Sequence, residues 1–206
     1  MKIILASSNE HKVKEINAIV SGLGVEFILP PEGFDPIENG TTFEENSLIK
    51  AQAAWELGRT WTLADDSGLC IDALNGAPGI HSARYAETPQ ARIDRVLKEM
   101  QSQKNRTARF KCCMTLLNPE GEIAISYTGI CEGSIVESQR GKNGFGYDPI
   151  FLIKDSNKTM AELDEKEKNS ISHRGKALQA ILEYLSSIKW NRDAVLKPIA
   201  LKNCLW

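Results

Sequence analysis

No stretch of the sequence approaches the ~20 consecutive apolar residues of a membrane-spanning helix, and the opening run Met1–Ala6 is too short for the core of a signal peptide. The five cysteines, Cys70, Cys112, Cys113, Cys131 and Cys204, form no CxxC pair, leave an odd count and mostly sit in apolar runs. Reduced, structural thiols are therefore expected rather than a disulfide framework. An excess of charge is also missing: 25 basic and 27 acidic residues leave a formal net charge of -2. Nothing in that balance points to nucleic acid or a membrane surface as a partner, so any anion-binding site must be local. The motifs GxxxxGK[ST], GxSxG and HExxH do not occur, and His11, His81 and His173 lack metal-ligand spacing. Short repeats, low-complexity tracts and Pro/Ser-rich linkers are absent as well. The expectation is a soluble, cytoplasmic protein, and its 206 residues are long enough for one α/β domain or two small ones.

Ile3–Ala6 reads as a short buried strand, and Ser7-Ser8-Asn9-Glu10 then has capping-box spacing for a helix with Val13, Ile16, Ile19, Val20 and Leu23 on its apolar face. Gly22 and Gly24 end it. A Pro/Gly-rich loop from Pro30 to Gly40 leads to Thr42-Phe43-Glu44-Glu45, a second capping box, and to a helix over Asn46–Leu57 that carries Lys50 and takes Gly58 as C-cap. A strand then ends at Asp65-Asp66 before a Ser67-Gly68 turn, with a further apolar run over Leu69–Leu74. Thr88-Pro89 opens a third helix with Ile93, Val96, Leu97 and Met100 on one face. From 107 to 136 the period changes to that of a hairpin with its turn at Asn118–Gly121, a region that could project as its own lobe. A glycine loop over 141–146, a strand at Ile150–Ile153 and a helix from Ser172 through Ile188 complete a domain spanning 1–188, with 189–206 as an extension. The fold expected is α/β, a mixed β-sheet flanked by helices.

Four groups of residues could carry chemistry. Ser7, Ser8 and Asn9 with Lys12, at a strand-to-helix turn, suit a phosphate chain, although the same residues could simply cap the helix. Asp65 and Asp66, with Glu38 as a candidate partner, suit a hard cation such as Mg²⁺ and could orient or deprotonate a water; each aspartate alone could equally cap a turn. Gly144-Phe145-Gly146-Tyr147-Asp148 could stack and edge-bond a nucleobase, or form a turn with two core aromatics. His173 and Arg174, in the string from Lys168 to Gly175, could donate to ring carbonyl oxygens, or serve as an ordinary cationic helix start.

Taken in order, Ala6-Ser7-Ser8-Asn9 with Lys12 and Glu15, Thr42–Asn46, Ala64–Leu69, Ala77-Pro78-Gly79 with Ser82–Tyr85, Gly144–Phe151 and Ser172–Gly175 resemble the successive motifs of the inosine/xanthosine triphosphate pyrophosphatases. The resemblance covers roughly 1–186. It implies an ITPase-like homodimer with an elongated central sheet that uses Mg²⁺ to hydrolyse ITP, dITP and XTP to the monophosphate and pyrophosphate. Carried over by motif, Ser7, Ser8, Asn9, Glu10, His11 and Lys12 bind the triphosphate with help from Lys50, and Glu38 and Asp66 hold the metal. Asp66 also activates the water, Ser67 contacts substrate, and Phe145, Gly146, Tyr147, Asp148, Lys168, His173 and Arg174 hold the base.

Two departures stand out: Ser7-Ser8 replaces the family's usual Thr-Gly, and the chain continues past the usual end as Lys189–Trp206. The rival readings are a Maf-like pyrophosphatase for modified pyrimidine nucleotides, against which His173-Arg174 argues, and a nucleotide-binding module without catalysis. The intact Asp65-Asp66 pair and Lys12 argue against the second.

Overall fold

The computed structural model describes residues 1–7, 13, 16, 17 and 19–188, and the backbone alone of 189–192. The N-terminal apolar run forms strand β1 (Lys2–Leu5), with Ile3, Ile4 and Leu5 all buried. Strand β2 (Glu26–Ile28) pairs parallel with it, Ile3 opposite Phe27. Three residues carry too little periodicity to read as a strand, and β2 was not expected from the sequence. Its backbone is fixed by a side chain: Asn17 donates to the Phe27 carbonyl and accepts from the Phe27 N–H, both at 2.7 Å. Val13, Ile16 and Val20, on the expected apolar face of the first helix, are buried.

Helix α1 (Phe43–Gly58) starts at Thr42, whose hydroxyl accepts the Glu45 N–H at 3.1 Å. The return arm of the expected capping box falls one residue early, on the Thr41 N–H and hydroxyl. At the other end the left-handed residue is Arg59 (φ 48), so Gly58 is not the cap. Gly58 is small for a packing reason, since a Cβ there would lie 2.1 Å from Ile4 Cδ1. With Ala51 and Ala54 it forms a smooth face that lets α1 approach the sheet closely.

Strand β3 (Thr62–Ile71) runs unbroken through Asp65, Asp66, Ser67 and Gly68, where a turn was expected. The Leu69 N–H is met by the Ser82 hydroxyl at 2.9 Å, a tertiary contact that helps a Ser-Gly pair stay extended. The hairpin is present as β4 (Thr107–Leu117) and β5 (Ile123–Ile135), and β6 (Phe151–Ile153) pairs antiparallel with β5. One six-stranded sheet results, in the order β2-β1-β3-β4-β5-β6, and β1 is parallel to β3. It contains parallel and antiparallel pairs, so it is the mixed sheet expected. Helix α2 (Pro89–Glu99) follows the Thr88 cap and buries Ile93 and Val96. Helix α3 (Glu165–Ile171), unforeseen in the sequence, has an Asp164–Glu167 capping box; α4 (His173–Arg192) follows it, with Ser172 Oγ accepting the Gly175 N–H at 3.0 Å.

The chain divides into two compact units. The first comprises residues 1–66 and 113–128, the second 67–112 and 129 onward. In the first, Ile4, Ala6, Ala51, Ala54, Ala64 and Leu117 form a core cluster. In the second, Leu69, Val96, Met100, Phe110, Ile150 and Phe151 belong to a larger one. Fully burying each large apolar side chain contributes about 1.5–3 kcal/mol, so both clusters are substantial. Cys112, Cys113 and Cys131 are buried, and these three and Cys70 are in no disulfide, in line with the reduced thiols expected.

Candidate active site

The functional side chains of the first unit are placed by α1 and β3. Eight residues beyond its cap, α1 presents Lys50, whose Nζ lies 3.2 Å from Glu38 Oε2 and 3.2 Å from Asp66 Oδ1. The register of α1 is pinned by hydroxyls. Ser47 Oγ donates to Thr115 Oγ1 at 2.7 Å, and Thr115 in turn meets Ser126 Oγ at 3.2 Å. Asp65 and Asp66 are consecutive in a strand and so point to opposite faces. Asp65 is buried, whereas Asp66 is partly accessible beside Lys50.

Three carboxylates around one ammonium leave an excess of negative charge. Burial opposes the charge on Lys50, but Asp66, Asp65 and Glu38 together outweigh that and raise its pKa. For Asp66, burial dominates and lifts the carboxyl above its ordinary range, against the pull of Lys50 and a smaller contribution from the Asn46 amide. Asp66 Oδ1 is taken by Lys50, while Oδ2 has no hydrogen-bond partner among the described residues. Such a carboxylate takes up a proton more readily than an exposed one. Among the described residues no three His, Cys, Asp or Glu side chains converge as a metal cage. Mg²⁺ does not need one: it uses one or two carboxylates and takes water and phosphate oxygens for the rest, so the donor set of Glu38 and Asp66 fits it.

In the second unit the glycine loop is organised by Asp148. Its Oδ2 accepts the Phe145 N–H at 2.8 Å and the Lys168 ammonium, and its own N–H returns to the Phe145 carbonyl at 3.2 Å. Gly144 has φ +75, and a Cβ there would sit 2.2 Å from Asp148 Oδ2, so only glycine allows this approach. The loop holds the Phe145 ring 65% exposed. Lys168 Nζ lies 4.3 Å from the ring centroid and Arg174 Cζ 5.6 Å, so the ring stands among cations with an open surface. Gly146, at φ +60, continues the loop. Tyr147 lies in the core and its hydroxyl donates to the Ser82 carbonyl at 2.8 Å; burial pushes its pKa up to about 12.

Helix α4 begins against β5 at a point where a Cβ on Gly129 would be 2.1 Å from the His173 carbonyl. That contact sets the first turn of the helix. His173 is buried and stacks on Phe110 at 4.8 Å between centroids, and Arg174 reaches Ser67 Oγ at 3.3 Å. Neither Gly129 nor Phe110 carries a signal in the sequence, because each matters only through its partner across space.

The structure thus brings together Glu38, Lys50 and Asp66 in one unit, and Ser67, Phe145, Asp148, Lys168 and Arg174 in contacts within the other. Ser7 directly follows β1, its N–H bonded to the Leu5 carbonyl at 2.7 Å. Ser8, Asn9, Glu10, His11 and Lys12 lie outside the described residues, as does the tail beyond Arg192.

Comparison with known proteins bears on this arrangement. The sequence profile of the Ham1 family matches residues 3–184. The chain belongs to the Ham1 family. A dITP/XTP pyrophosphatase of Treponema denticola is 48% identical over 194 residues, covering 90% of this chain and 98% of the relative. Among solved structures, the Ham1 protein of Staphylococcus aureus superposes with a TM-score of 0.85 at 37% identity, covering 91% of this chain and 100% of that one. A HAM1 protein from Coxiella burnetii gives 0.84 at 42%, covering 91% and 99%. This agrees with the resemblance read from the motifs and with the mixed α/β sheet.

Proposed function

We infer that the chain is a nucleoside triphosphate pyrophosphatase that hydrolyses deaminated purine nucleotides, dITP, ITP and XTP, to the monophosphate and pyrophosphate. The observation that carries this reading is the Asp66 carboxylate, held through one oxygen by Lys50, which also meets Glu38, in a chain of this family. Asp66 takes a proton from the attacking water, whose oxygen bonds to the α-phosphorus. The bond from that phosphorus to the bridging oxygen breaks, and pyrophosphate leaves with the electron pair. Lys50 offsets triphosphate charge, together with Ser7 and residues 8–12. Mg²⁺, held by Glu38 and Asp66, would supply further neutralisation of the phosphates.

Phe145 offers its exposed face to the base. His173, Arg174 and Lys168 supply donors for O6, while Asp148, Gly146 and Tyr147 hold the loop in shape, and Ser67 contacts substrate through its place beside Arg174. Hypoxanthine and xanthine present an acceptor at position 6. Adenine presents an amino donor, which leaves a cation without a partner, and that mismatch is the basis proposed for selectivity. Residues 1–188 are proposed to act as one catalytic domain, working as a homodimer in the cytoplasm. No helix among the described residues is long and apolar enough to cross a membrane.

The test is incubation with dITP, ITP, XTP, ATP and GTP, with and without Mg²⁺, assaying pyrophosphate separately from orthophosphate. Pyrophosphate is expected from the first three nucleotides and only with the metal. Orthophosphate alone, or equal rates on ATP, would contradict the reading.

A further inference from the structure

The loop that carries Glu38 has little packing of its own to hold it. Asp35, Ile37 and Asn39 are exposed, Ile37 at 80%. A tight turn puts Glu38 at its tip, with the Asn39 N–H bonded to the Ile37 carbonyl at 3.1 Å. Lys50 meets the Glu38 carboxylate at 3.2 Å, but through an ammonium on a flexible stem. The backbone is fixed just beyond the turn, against the start of α1. There the Gly40 N–H donates to Asn46 Oδ1 at 2.9 Å, and the Thr41 N–H and hydroxyl both donate to Glu45 Oε2, at 2.6 and 2.8 Å. Gly40 lies directly on the helix, since a Cβ there would be 2.7 Å from Asn46 Oδ1 and 2.8 Å from Glu45 Cβ. In a regular capping box the glutamate returns to the N–H of the capping residue itself and closes the helix end. Glu45 reaches past Thr42, whose hydroxyl already caps α1, and spends its carboxylate on the loop instead.

We propose that Glu45 is a positioning residue for Glu38: its Oε2 clamps Thr41 to α1, so that the loop presents the Glu38 carboxylate to a divalent cation. This rests on the reading that Glu38 and Asp66 hold the metal. A carboxylate on an exposed loop binds a cation more weakly when the loop has first to be ordered, because that ordering entropy subtracts from the binding free energy. With Thr41 and Gly40 fixed, the ordering is done before the cation arrives. Groups that support metal ligands typically contribute about 10–100-fold in affinity. Glu45 acts through a short length of backbone rather than on the ligand itself, so the lower end of that range, about tenfold, is expected.

Two variants separate the clamp from the charge of Glu45. Glu45→Gln keeps an oxygen that can accept both Thr41 donors but has no charge; Glu45→Ala loses the acceptor and the charge together. Mn²⁺ binding to the nucleotide-free protein is followed by water-proton relaxation, with Glu38→Gln as the reference for a site that has lost its ligand. The Mg²⁺ activation constant for pyrophosphate release from dITP is measured alongside. Glu45→Ala is expected to weaken Mn²⁺ binding and raise the Mg²⁺ constant about tenfold, while kcat at saturating Mg²⁺ stays within about twofold of wild type. Glu45→Gln should stay within about twofold of wild type in all three. Equal weakening in both variants overturns the proposal, since Glu45 would then act through its charge; so does unchanged Mn²⁺ affinity in Glu45→Ala. If Glu45→Ala does not fold, Gly40→Ala decides: its Cβ pushes the loop off α1, and wild-type Mn²⁺ affinity there overturns the clamp. Wild-type Mn²⁺ affinity in Glu38→Gln would show that Glu38 holds no metal, and the proposal falls with it. A wild-type protein that releases no pyrophosphate, but whose Mn²⁺ affinity drops as expected in Glu45→Ala, removes the pyrophosphatase reading and leaves the clamp standing.

Discussion

The contact of Lys50 with Asp66 in the first unit and that of Lys168 with Asp148 in the second are built from the same two side chains, but they leave different things over. Asp148 spends one oxygen on both a backbone N–H and an ammonium, and its carboxylate holds the Phe145 loop in place. Asp66 spends one oxygen on Lys50 and leaves the other buried beside the Asn46 amide, in a setting where burial raises its pKa. The first carboxylate is committed to holding a loop, whereas the second keeps a buried oxygen that the side chains around it satisfy poorly. Residue type and pairing alone do not separate the two.

The strongest way to break this contrast is Asp66→Asn, which is expected to lower kcat at least ~10²-fold with the folded state preserved by circular dichroism. Near wild-type turnover would deny Asp66 the role of base. Asp148→Asn should act through stability: it leaves the Lys168 ammonium mostly buried and unneutralised, and the expected loss is on the order of 3 kcal/mol in denaturant titration. An equal loss of kcat at saturating substrate in this variant would erase the distinction between the two aspartates. Phe145→Ala removes an exposed ring, so stability should stay within about 0.5 kcal/mol. At the same time kcat/KM for dITP should fall by about 5–150-fold, the range for one stacked base.

The smallest effect concerns pH. The Tyr147 phenol is raised from 10.0 to about 12 in the folded chain, so the folded state keeps a proton that the unfolded state gives up first. Its contribution is fully present below pH 10.0 and is lost as pH rises toward 12. Tyr147→Phe should cost about 1 kcal/mol at neutral pH, through the lost bond to Ser82, and should flatten the alkaline decline in stability.

Much of the site could be read from the chain because its parts come as short local strings. Thr42–Asn46 announces the start of α1, and from there helical spacing alone carries Lys50 to the next turns. Gly144–Asp148 announces a loop that its own glycines permit. The misreadings share a cause. Ser67-Gly68 has turn composition, but β3 continues through it because the Leu69 N–H finds the hydroxyl of Ser82, 13 residues away. Gly58 has the look of a cap, but its smallness answers Ile4, and the left-handed position falls to Arg59. Strand β2 exists because β1 and the Asn17 side chain complete its hydrogen bonds.

By itself the sequence determined the starts of α1, α2 and α4, the hairpin, the glycine loop and the set of charged groups, since caps, periodicity and turn chemistry act over a few residues. Only the tertiary structure decided which carboxylate holds a loop and which is left with a buried, poorly satisfied oxygen. Hydrogen-bond satisfaction is a property of neighbours in space, and the groups that meet Asp66 and Asp148 lie 16 and 20 residues away along the chain.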